Sequence, residues 1–74
     1  MNRLEILNAL KADVDVLAQA DETSVLGAMP NWDSLAILLV VSHCEHIRDL
    51  EVRGPQVRAC RTVGDLLDLI QSLS

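Results

Sequence analysis

Apolar residues recur every three or four positions over three stretches of the chain, and the segments between them are polar and rich in turn formers. In the first stretch Ile6, Leu7, Leu10, Val14 and Leu17 share one arc of a 3.6-residue wheel, with Glu5, Asn8, Ala12 and Asp15 outside it. A helix over residues 2–18 is predicted. Residues 19–32 mix Asp, Thr, Ser, Gly and Pro without a period, which predicts a loop of the length usually kept for a functional or packed role, pinned to the core by Val25, Leu26 and Met29. Asp33 stands just ahead of an apolar run, where its carboxylate can accept backbone N–H groups of a first turn, so a second helix is predicted over 34–49. Gly54-Pro55 marks a turn, and one short helical turn is predicted over residues 55–60. Thr62 followed by Asp65 reads as a capping box opening a last helix over 63–73, whose Val63, Leu66, Leu67, Ile70 and Leu73 make one stripe.

The second helix departs from simple amphipathicity. Ile37, Val40, Val41, Cys44 and Ile47 cluster on one side as the core face. The other side carries Leu35 and Leu39 near its start and Ser42, His46 and Asp49 further along, so the solvent side begins apolar and ends polar. Either the long loop folds over the two leucines or they form a docking surface beside Ser34.

Composition points to the same class. The 74 residues make one domain, residues 1–74, and half of them are hydrophobic, yet Trp32 is the lone aromatic. A core of Leu, Ile, Val and Ala favours helices over a sheet, so an all-α fold is expected, and the helical segments above make it a small four-helix bundle with a short third helix and a long loop between helices one and two. The formal charge of −5 repels phosphate backbones, which argues against nucleic acid and anionic membrane as partners. The longest apolar run, Leu35 to Val41, has seven residues, where a membrane span takes about 20. With no signal-peptide pattern at Met1-Asn2-Arg3-Leu4-Glu5, a cytoplasmic location is expected, and with it free thiols at Cys44 and Cys60.

Three side-chain groupings invite chemistry. His43, Cys44 and His46 look like metal ligands, but on a helix Cys44 points about 100° or more from either histidine, so a solvated histidine pair and no metal are expected. Ser42, His46 and Asp49 imitate a nucleophile, base and orienting acid on one helical face, yet a straight helix gives no oxyanion hole or pocket, and no catalytic residue is expected. Arg48, Arg53, Arg58 and Arg61 gather positive charge in fourteen residues, while the first 34 carry six acids against two bases. The arginine-rich segment reads as a solvated arm or a second contact area for an acidic partner.

Pro30-Asn31-Trp32-Asp33-Ser34-Leu35, an Asp-Ser-Leu opening a helix after a long loop, resembles the acyl and peptidyl carrier proteins. The resemblance spans nearly the whole chain: the leading helix, the long loop, the short third segment and Thr62-Val63-Gly64-Asp65-Leu66-Leu67 all stand at similar spacings. It implies a free-standing, non-catalytic carrier in which Ser34, flanked by Asp33 and Leu35, bears phosphopantetheine, whose thiol holds an acyl or aminoacyl group as a thioester. It further implies a monomer whose partners are a phosphopantetheinyl transferase, a loading enzyme and a downstream synthase or transferase, gripping Trp32, Leu35, Leu39, Ser42 and His46. A serine in a first helical turn suits that role, since unpaired N–H groups and the helix dipole favour an anion by about 0.3–1 kcal/mol when exposed. Asn31 stands where many carriers have glycine and can visit the same left-handed region. Arg48 stands where carriers commonly bury an aromatic, and its stem is expected on the core with its head outside. The weakly acidic second helix favours a carrier dedicated to one pathway over a generic fatty-acid carrier. The rival reading is a degenerate bundle serving as a protein-interaction module.

Overall fold

The computed structural model describes residues 2–74, and its first helix, α1 (Arg3–Asp13), starts where the Asn2 side chain accepts the Glu5 N–H at 2.9 Å. α1 ends five residues earlier than the wheel predicts. Asp13-Val14-Asp15-Val16 alternates β-branched and acidic residues that lose little by leaving a helix, and Val14 is extended. A single 3₁₀ turn at Asp15–Leu17 follows, so Val14 and Leu17, three apart, still both reach the core.

α2 (Ser34–Arg48) buries Ala36, Ile37, Val40, His43 and Cys44. It ends at Asp49, whose left-handed backbone (φ 55°) lets the Asp49 and Leu50 N–H groups both reach the Cys44 carbonyl. The expected core face needs two corrections here. Ile47 lies on the core side of the wheel but is 63% exposed, because the last turn of α2 borders an open groove lined by Glu5, Ala9, Arg48, Leu50 and Ser74 rather than a covering helix; Val41, at the edge of the arc, is half-buried. His43 is no part of a solvated pair. Its side chain is 2% exposed and its Nδ1 lies 2.7 Å from Asp13 Oδ2, joining α2 to the end of α1.

α3 (Gly54–Arg58) is shorter than expected and leans on α2 through the fully buried Val57, with Pro55 in its first turn. α4 (Val63–Leu73) buries Val63, Leu66, Leu67 and Ile70, whereas Leu73, near the helix end, stays partly exposed. Its capping box forms as predicted: Thr62 Oγ1 accepts the Asp65 N–H at 3.1 Å, and Asp65 Oδ2 accepts the N–H groups of Thr62 and Arg61 at 3.1 and 3.0 Å.

The loop between α1 and α2 is fastened mainly by its backbone. The Leu26 N–H donates to the Arg61 carbonyl (2.9 Å), and the Val63 and Gly64 N–H groups donate to the Ser24 and Glu22 carbonyls (3.0 and 2.9 Å), which pairs Val25 with Thr62. Leu26 is fully buried and Met29 packs against the core as expected. Val25 is not a side-chain anchor, being 43% exposed; it holds the loop through the main chain. Arg3 bolts the same corner together, donating to Glu22, Asp68, Gln71 and the Gly64 carbonyl. Among the described residues four helices enclose one aliphatic core, and none of them is long and apolar enough to cross a membrane. Cys44 and Cys60 are free, and burial raises the pKa of both thiols.

A methyl group at Gly64 would sit 3.1 Å from the Glu22 carbonyl oxygen, which the Gly64 N–H bond holds in place. Gly64→Ala should therefore lower the unfolding free energy by about 1 kcal/mol, the strain of about 1–3 kcal/mol outweighing the roughly 1 kcal/mol gained from helix propensity; urea denaturation measures this. The N–H groups of Thr62 and Arg61 hold the Asp65 carboxyl below its ordinary value of 3.8, and the Thr23 hydroxyl and N–H do the same for Asp21. With folded-state values depressed, both contribute stability above pH 3.8 and lose it as pH falls through the folded values. Melting temperatures should drop below pH 3.8, and less steeply in Asp65→Asn than in the wild type.

Candidate functional site

Asn31 takes the left-handed conformation expected of it (φ 68°), turning the chain so that Asp33 arrives extended at the head of α2. Asp33 Oδ1 accepts the Ala36 N–H at 3.0 Å, and the Asp33 carbonyl accepts the Ile37 N–H at 3.0 Å. The N–H groups of Ser34 and Leu35 precede those bonds and are the ones a helix start leaves for solvent or an anion. Ser34 is the first residue of the helix and is exposed, and the first turn holds no acid.

Across from it, Arg58 at the end of α3 donates from Nη2 to Ser34 Oγ at 3.0 Å. A guanidinium has no acceptor, so the serine oxygen takes this bond through a lone pair and its own hydrogen is left to point elsewhere. Neither histidine can activate that hydroxyl. His43 is buried against Asp13, and His46, twelve residues past Ser34 on the same helix, pairs through Nδ1 with Ser42 Oγ at 3.1 Å. The imitation of a triad stops there, because among the described residues no hydrogen bond joins His46 to Asp49, which forms the helix cap. His43 and Cys44 point into the protein while His46 is exposed, and among the described residues no three His, Cys, Asp or Glu side chains converge on a metal position.

Leu35 and Leu39 are 64% and 40% exposed, so the loop does not fold over them. Leu38, 59% exposed, lies between them and widens the apolar strip beside Ser34. Ser42 and His46 continue the strip as a bonded polar pair. Trp32 divides its surface, packing partly on the core and leaving the rest beside the site.

Sequence reasoning missed Leu38 and Arg58 as site residues. Leu38 was within reach of the wheel, standing one turn past Ser34. Arg58 lies 24 residues from Ser34 and carries no local signal; only the fold places α3 against the start of α2. The groove at Ile47 and Arg48 lies thirteen residues past Ser34, about 20 Å along the helix, so it is a separate feature. Comparisons of the chain with protein-family models, with curated proteins and with solved structures return no match.

Proposed function

We propose that the protein is an acyl or aminoacyl carrier that bears phosphopantetheine on Ser34 and presents the thioester-bound cargo to partner enzymes. The observation that carries this reading is the exposed Ser34 hydroxyl at the head of α2, with Asp33 already spent on capping and, among the described residues, no base in contact. A hydroxyl so placed is a substrate for an external enzyme rather than a self-activated nucleophile. The residues also fit a phosphodiester: two amides ahead of the first helical bonds, the positive end of the α2 dipole and an arginine touching Oγ.

In the modification, Ser34 Oγ attacks the phosphorus of coenzyme A that bears the pantetheine. One Oγ–P bond forms, the P–O bond to adenosine 3′,5′-bisphosphate breaks, and the hydroxyl proton passes to a base of the transferase. The arm, once attached, supplies the thiol that carries the cargo. The chain's own part is to hold Ser34 outward on a rigid helix and to offer the Leu35, Leu38 and Leu39 strip, with Trp32, Ser42 and His46 at its margins, to the enzymes that load and unload the arm. In this reading the carrier is a cytoplasmic monomer, and the modest acidity of α2 favours one dedicated pathway. An interaction module without an arm would use the same leucine strip, and mass distinguishes the two.

Incubation with coenzyme A and a panel of phosphopantetheinyl transferases should add the mass of one phosphopantetheine to the wild type and none to Ser34→Ala. Unchanged wild-type mass across the panel leaves the interaction module as the better reading. Full burial of a leucine is worth about 1.5–3 kcal/mol, which is tenfold or more in affinity. Leu39→Glu should therefore keep the helical circular dichroism and melting temperature of the wild type while slowing loading by the cognate enzyme about tenfold. Unfolding by this substitution would show that Leu39 serves the core instead.

A further inference from the structure

Arg58 is a cation with a neutral partner. Among the described residues Arg3 pairs with Glu22 and Asp68, and Arg53 with Glu51, whereas Arg58, like Lys11 and Arg61, has no carboxylate within ion-pair distance; unlike those two it rests on the Ser34 hydroxyl. Its backbone is fixed even though its side chain is exposed: the preceding residue, Val57, is fully buried, and Gln56 caps the start of α3 by accepting the Arg53 N–H at 2.9 Å. The reach is between two elements, from the last residue of α3 to the first of α2. Asp33 is the one carboxylate next to Ser34 in sequence, and a phosphodiester on Ser34 would add a second negative charge beside it.

We propose that Arg58 is the positioning residue for the modified serine, receiving the phosphodiester at the spot where it now holds Ser34 Oγ and thereby tying α3 to the base of the arm. The proposal rests on the carrier reading. Esterification makes Oγ a poor acceptor and places non-bridging phosphate oxygens beside it, so the guanidinium exchanges a neutral acceptor for an anionic one with little movement. Arginine suits this better than lysine because its planar fork can give two parallel bonds to one phosphate. The contact is exposed, so its strength is that of a screened surface pair, and the coupling should be modest and sensitive to salt.

The consequence is an α3 that is steadier in the modified protein than in the unmodified one. The test compares backbone amide exchange over residues 54–60 in both forms, each verified by intact mass. In the wild type, modification should slow exchange in α3 about two- to fivefold at low salt, with most of the difference gone in 1 M sodium chloride. Arg58→Gln should abolish the difference, Arg58→Lys should keep a smaller one, and Arg53→Gln, a neighbour that does not touch Ser34, should keep it whole. Because each variant is compared with its own unmodified form, an altered starting stability does not blur the result. Equal exchange in modified and unmodified wild type, or equal protection in Arg58→Gln, overturns the role of Arg58 while leaving the carrier reading intact. A chain that gains no mass overturns both.

Discussion

The backbone seam between residues 22–26 and 61–64 sets the position of nearly everything that matters near Ser34. A loop of this length has many N–H and C=O groups to satisfy, and here several are satisfied by the entry to α4 instead of by solvent. The seam demands close approach, which Gly64 permits, and it is reinforced from α1 by the Arg3 fan to Glu22, Asp68 and Gln71. Once residues 22–26 are fixed and Leu26 is buried, only a short stretch remains before Asp33, and the left-handed turn at Asn31 points it into α2. The place of the serine is thus determined at the far side of the loop.

The helices divide the work unequally. α4 buries one continuous stripe, with Leu69 half-buried beside it and Leu73 exposed at its end, so its role is to hold the core. α2 is apolar on two sides: Ile37, Val40 and Cys44 face inward, and Leu35, Leu38 and Leu39 face outward around the head of the helix. A bundle this small needs its apolar side chains for stability, so three leucines left outside on one strip are a cost that the fold does not require. Their placement beside the single serine at a capped helix start is what ties the packing to the proposed site.

The elements were legible wherever one local cause decided them. Asp33 and Thr62 announced α2 and α4 through capping chemistry, and the α4 stripe needed only its period. α1 was read too long because Val14 and Leu17 keep helical spacing to the core even though the chain between them has become a 3₁₀ turn. Periodicity reports which residues are buried, and two kinds of turn bury the same pair. His43 and Ile47 failed for opposite reasons: His43, at the edge of the arc, is drawn inside by Asp13 on another helix, and Ile47, well within the arc, lies past the end of its cover. Of the site, Ser34, Leu35 and Leu39 were readable from one helix, whereas the Arg58 contact exists only after α3 has docked.

The brevity of α3 has a kinetic meaning. Five residues are too few to sustain a helix by their own cooperativity, so α3 persists only while Val57 stays seated against its neighbours. Segments of that kind open locally at free energies well below global unfolding. The guanidinium beside Ser34 is therefore mounted on a short segment whose hold on the bundle is the buried Val57 and the Gln56 cap. In the carrier reading proposed above, an enzyme that modifies Ser34 would have to displace only a surface arginine, not a contact embedded in the core.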